Sequence, residues 1–154
     1  MSKHTLVSLI VFLALTILVV LGQRFGPSLL APGETSLAVD PACNLQQGPC
    51  AASLPEGGRL ELSITPRPLL PLKPLTVEVA ITGPRPQQVE IEFTGVEMSM
   101  GLNRVVLVGG ADGRFGGTAN LPVCTTGRML WQATVRIDSG GRQFALPFRF
   151  YSPP

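Results

Sequence analysis

Sulfur is the most reactive chemistry this sequence carries. Two methionines, Met98 and Met100, stand one residue apart in GVEMSMG, and the whole chain of 154 residues has only four. Three cysteines accompany them: Cys43 and Cys50 bracket CNLQQGPC, and Cys124 lies in LPVCTTGRMLW. Thioether and thiolate ligands select Cu(I), so these side chains suit a soft metal. The single histidine is His4, next to the amino terminus. Beyond it the chain has no imidazole, which excludes Ser-His-Asp and Cys-His catalysis and any zinc site built on histidine. No Gly-rich loop leads from a strand into a helix, so no phosphate cradle is expected either. The chain does not read as an enzyme, and no small-molecule substrate is expected.

Each sulfur group has a structural reading beside the chemical one. Six residues with a Gly-Pro separate Cys43 from Cys50, enough to close a small disulfide ring in an oxidising compartment. Pairing of one of them with Cys124, or reduced thiols that bind metal or exchange electrons, are the alternatives. With an odd count, at least one thiol is left over in a monomer. Met129 belongs to an apolar stripe and is expected in the core. Met98 and Met100 share one face of any extended segment. Extending the alternation Val89, Ile91, Phe93 by twos reaches Gly95 and Glu97, which puts both methionines on the opposite, outer phase. A bulge at Thr94-Gly95 would instead return them to the core.

The elements that position these residues follow from periodicity. Thr5 to Gly22 (TLVSLIVFLALTILVVLG) carries no charge and as a helix spans roughly 27 Å, close to a bilayer core of about 30 Å. It exceeds the apolar region of a cleaved signal, and no A-x-A site follows it. An uncleaved transmembrane anchor is therefore expected, with a removed signal as the alternative. Lys3 before the run favours a cytoplasmic tail at residues 1–4, the anchor at 5–22, and the remainder in the periplasm of an inner-membrane protein. Residues 23–58, rich in Gly, Pro and Ser, read as a linker carrying the Cys43/Cys50 segment.

From Arg59 to the end, residues 59–154, two-residue alternation dominates. The runs are Leu60–Ile64, Leu75–Ile81, Val89–Phe93, Arg104–Val108, Phe115–Leu121, Met129–Ile137 and Phe144–Phe150. Turn residues separate them, as in Thr65-Pro66-Arg67-Pro68 and Ser139-Gly140-Gly141. The expected fold is all-β, an immunoglobulin-like antiparallel β-sandwich of about seven strands behind one N-terminal transmembrane helix. Past the anchor, eleven bases face ten acids, and no basic stripe interleaves with aromatics. Nucleic acid is not an expected partner.

VEMSMGLNRVVL, then GRFGGTANLPVC, then GRMLWQATVRI, resemble the YtkA-like and FixH-like periplasmic domains. These are small single-anchor β-sandwiches with an M-x-M-G turn followed by a G-x-(F/Y)-x-G strand. The matching positions are Met98, Met100 and Gly101, then Gly113, Phe115 and Gly117. The resemblance covers Leu60 to Ile137 and implies copper handling and assembly of a haem-copper respiratory oxidase, with that oxidase or a copper chaperone as partner. Two departures stand out: no histidine lies near the methionine turn, and CNLQQGPC and Cys124 have no counterpart in the pattern. The expected site is Met98, Met100 and Cys124 around Cu(I). The alternatives are a non-catalytic interaction module stapled by Cys43–Cys50 and, third, a thiol-disulfide oxidoreductase.

Overall fold

The computed structural model describes residues 3–30, 33–83, 85–99, 101–123 and 127–153. The chain divides into two compact units, Met1–Gly33 and Glu34–Pro154. The first is a single helix, α1, Lys3–Leu30, which runs past the Gly22 boundary expected from hydropathy. Every side chain from Val11 to Val20 is exposed, nine of them apolar. The described side chains of α1 are interrupted, and among the described residues no helix is long and apolar enough to cross a membrane.

The second unit is two five-stranded sheets packed face to face. Its strands are β1 (Glu34–Ser36), β2 (Cys50–Ser53), β3 (Arg59–Thr65), β4 (Pro74–Thr82), β5 (Gln88–Gly95), β6 (Arg104–Val106), β7 (Val108–Gly109), β8 (Arg114–Asn120), β9 (Met129–Ser139) and β10 (Arg142–Ser152). One sheet has the order β1-β10-β9-β5-β6 and the other β2-β3-β4-β8-β7. Six of the seven alternating runs fall on single strands, and alternate residues of β3, β4, β5, β9 and β10 form the core. Leu60, Leu62 and Ile64 of β3 and Leu75, Val77 and Val79 of β4 meet Val89, Ile91, Phe93, Trp131, Val135 and Phe148 from the opposite sheet, all buried. Burial of this apolar surface is the main force holding the sheets together.

The strand count rises from seven to ten for identifiable reasons. The Arg104–Val108 run splits at buried Leu107. β6 pairs with β5 in one sheet, the Leu107 amide donates to Val89 O at 2.9 Å, and β7 then pairs with β8 in the other. A strand that changes sheets turns a corner of the sandwich. Two further strands come from the segment read as linker, which is a correction. Residues up to Leu30 belong to α1, and 34–58 supplies β1, β2 and the core residues Leu45, Cys50 and Ala52. Strands of three and four residues are too short to show a period. The unit is also not wholly antiparallel, because β1 pairs with β10 in parallel, Glu34 opposite Gln143.

Charges on the outer face of the first sheet tie that edge strand in place. The Arg136 guanidinium on β9 donates to Glu34 Oε2 on β1 at 2.7 Å and pairs also with Glu92 on β5. Arg104 on β6 continues the ladder to Glu90 at 3.3 Å and Glu92 at 3.6 Å. Burial alone would lower the Arg136 pKa, but its hydrogen bonds to Glu34 and Glu92 raise it above the ordinary value. Each part-exposed pair contributes little by itself, about 0.2–1 kcal/mol, but a shared network holds its members in one geometry.

Two glycines of the G-x-F-x-G strand have structural reasons. Gly113 has φ +80°, and a Cβ there would lie 2.7 Å from Ile81 O, the carbonyl of a residue whose amide donates to Gly113 O. A Cβ on Gly117 would lie 2.8 Å from Leu107 Cδ2, at the strand that changes sheets. By contrast, the nearest atom to a Cβ on Gly116 is Val77 O at 3.9 Å. Gly113→Ala should therefore destabilise the protein by more than about 1 kcal/mol, while Gly116→Ala stays within about 0.5 kcal/mol or stabilises it. Urea unfolding of the two variants checks the difference.

Candidate functional site

One end of the sandwich gathers the segments that carry the sulfur residues. β3, β5, β8 and β10 all end there, so it collects loop 66–73, loop 96–103, loop 121–128 and the residues after β10. The first residue of the unit, Glu34, pairs with Gln143 beside the β9–β10 hairpin, at the opposite end.

The phase of the methionine segment is set by β5. It pairs with β9 without interruption from Gln88↔Asp138 to Gly95↔Trp131, and the Val96 amide still reaches Leu130 O at 3.0 Å. No bulge interrupts this pairing at Thr94-Gly95; the strand ends at Gly95, and the chain bends through residues 96–98, all of them exposed. Met98 is 41% exposed, on the wall of an open depression of about 330 Å³ formed by residues between Thr94 and Gly101. Met129, at the start of β9, is the core methionine at 2% exposure. Met100 and Cys124 lie outside the described residues.

The flanks of the Cys124 segment meet the flanks of the Met98 segment. Asn103 Nδ2 donates to Asn120 O at 2.7 Å, and the Phe93 amide donates to Asn103 O at 2.8 Å. On the other side, the Leu72 amide donates to Leu121 O at 2.9 Å. Leu72, Val96, Leu102 and Val123 are exposed around these junctions, giving the end an apolar rim. Among the described residues no group of three or more His, Cys, Asp or Glu is placed to hold a metal ion.

The cysteine pairing left open by spacing is resolved: Cys43 and Cys50 form a disulfide, with Cα atoms 5.7 Å apart. Cys124 is then the cysteine left over. Inside the ring, Leu45 is fully buried and acts as a hydrophobic plug. Its neighbour Gln46 is a cross-brace. Gln46 Nε2 donates to Leu69 O at 3.4 Å and Tyr151 O at 2.7 Å, while Gln46 Oε1 accepts from the Leu69 amide at 2.7 Å. Arg67, between two cis X-Pro bonds at Pro66 and Pro68, donates through Nε to Leu45 O at 3.0 Å and through Nη2 to Ser63 Oγ at 3.3 Å. Arg128 lies over the Tyr151 ring, 3.9 Å from its centroid.

Sequence reasoning passed over Gln46, Arg67, Arg128 and Tyr151. Only the position of Gln46 inside a candidate disulfide ring could have drawn attention to it. No family model, curated protein or solved structure matches this chain.

The ring contributes stability through the unfolded chain, roughly 2.5 kcal/mol for a loop of this length. Replacing both Cys43 and Cys50 by serine should lower unfolding free energy by about that amount. Amide hydrogen exchange at Leu69 should also speed up, because its acceptor is held by the ring. Unchanged exchange at Leu69 would show that Gln46 is positioned without it.

Proposed function

We propose that this protein is a membrane-anchored periplasmic protein that binds Cu(I) at the loop end of its sandwich and delivers it during assembly of a haem-copper respiratory oxidase. The observation that carries the reading is the exposure of Met98. Met98 lies exposed in the loop that follows the unbulged β5, and that loop is hydrogen-bonded to the flanks of the Cys124 segment. Met98 and Met100 are the thioether ligands and Cys124 is the thiolate. With no histidine in the β unit, this donor set is soft and favours the reduced metal. Delivery to a partner fits a site at the end opposite to the entry of the chain into the β unit.

Two finer assignments belong to the same reading. The strand order β3-β4-β8-β7 against β10-β9-β5-β6 supports an immunoglobulin-like sandwich, with β7 and β6 in the positions of the fourth strand of one sheet and the added edge strand of the other. Anchoring is supported by α1, whose ten successive exposed residues from Val11 to Val20 leave no polar face. Such a helix needs an apolar surrounding. Thr16, the one hydroxyl among them, donates back to Leu13 O at 2.8 Å, which satisfies it without water.

The apolar rim of Leu72, Val96, Leu102 and Val123 favours a second reading, a metal-free module that docks a membrane protein through that end. A thiol-disulfide oxidoreductase is disfavoured by the full burial of Cys50.

Titration of the purified full chain with Cu(I) against a competing chelator separates the readings. One equivalent should be withheld from the chelator, and changing both Met98 and Met100 to leucine should weaken retention at least tenfold. Cys124→Ser should weaken it further. If the double leucine variant holds copper as the parent does, the metal reading fails and the docking module stands.

A further inference from the structure

The depression beside the disulfide ring is lined by Gln46, Arg67, Pro68, Arg128, Tyr151 and Pro153, and has a volume of about 580 Å³. Among the described residues no carboxylate is on its wall. Arg104, Arg114, Arg136 and Arg142 each pair with an acid, whereas among the described residues Arg67 and Arg128, like Arg59, Arg85 and Arg149, form no ion pair. Arg67 is partly buried and spends its Nε and one Nη2 proton on the neutral acceptors Leu45 O and Ser63 Oγ. Those bonds fix the plane of its guanidinium and leave the Nη1 side with donors to give. Arg128 is fixed differently, by stacking on the Tyr151 ring. Stacking uses the face of a guanidinium and leaves its rim donors available.

Arg128 is exposed and Arg67 half-buried, so neither charge costs the fold much, and both present donors held in place to an incoming anion. The surroundings sharpen the charge. Loops 66–73, 96–103 and 121–128 contain Arg67, Lys73 and Arg128 against the single acid Glu97. The remaining walls are two proline rings and an aromatic ring. A ligand that matches them must bring apolar surface beside its charge, which a small inorganic anion lacks.

We propose that this depression is a receptor site for a carboxylate carried on an apolar peptide segment of a partner protein. The carboxylate bridges Arg67 and Arg128, and the flanking apolar side chains lie on Pro68, Pro153 and Tyr151. Fork-like donation from arginine suits the two oxygens of a carboxylate. Gln46 builds the site by tying loop 66–73 and the Tyr151 strand end to the disulfide ring. The assignment is independent of copper binding, and its test contains no metal.

The test uses the full chain in neutral detergent and a fluorescent peptide alternating glutamate and leucine, followed by anisotropy. Saturable binding is expected, weakened at least tenfold by Arg128→Gln. That residue is exposed and makes no hydrogen bond among the described residues, so its loss leaves the fold intact. Arg67→Lys keeps the charge and loses the fork, and should weaken binding as well. A peptide alternating glutamine and leucine should not bind, and inorganic phosphate should not displace the acidic peptide at equal concentration. Absent binding, equal binding of the glutamine peptide, or an unchanged affinity in Arg128→Gln would overturn the proposal. Displacement by phosphate, or Arg128-dependent binding to phosphatidylglycerol vesicles in place of the peptide, would overturn it too, by reassigning the site to phosphate groups.

Discussion

Eight consecutive residue pairs between β5 and β9, from Gln88↔Asp138 to Gly95↔Trp131, decide what the far end of this protein can do. A strand has a period of two, so one extra residue in that pairing would turn every later side chain to the other face. Because none is inserted, Val89, Ile91 and Phe93 all face the core, and the pairing runs to Gly95, opposite buried Trp131, where the loop bearing exposed Met98 begins. Hydrogen bonds of the loop itself, such as Asn103 to Asn120, then tie it to β8.

The two ends of the β unit are built by different forces. At the entry end, Glu34 is held on β1 through Arg136, a charge bridge laid over β10. At the loop end, covalent closure of the Cys43–Cys50 ring positions Leu45 as a plug and Gln46 as a brace. Between them lies an ordinary apolar core. The arrangement leaves the loop end with exposed apolar side chains, a solvent-facing thioether and two unmatched guanidinium groups. Those features suit a binding surface more than they serve the core.

Much of this fold was legible in the sequence, because alternation reports a half-buried strand directly. Six of the seven runs from Leu60 to Phe150 are single strands, Arg104–Val108 is divided between two, and Met129 is in the core as its stripe indicated. What failed to register was short or non-local. β1 and β2 are too brief to alternate, so Gly and Pro in their neighbourhood suggested a linker. The crossing at Leu107 depends on space left by Gly117, a contact no periodicity reveals. The site was only half legible. Spacing offered the Cys43–Cys50 ring among other pairings, and it posed the two phases of Met98 without choosing. The grouping of Arg67, Arg128 and Tyr151 is invisible in one dimension, because those residues come from two loops and the end of β10, brought together by sheet order.

The central claim is that the loop end holds a soft metal with sulfur alone. X-ray absorption at the copper edge of the Cu(I)-loaded full chain tests it most directly. The account predicts a first shell of sulfur scatterers only, with the sulfur count falling when Met98 and Met100 are replaced by leucine. A shell containing imidazole nitrogen or carboxylate oxygen, or one unchanged in that variant, would contradict it.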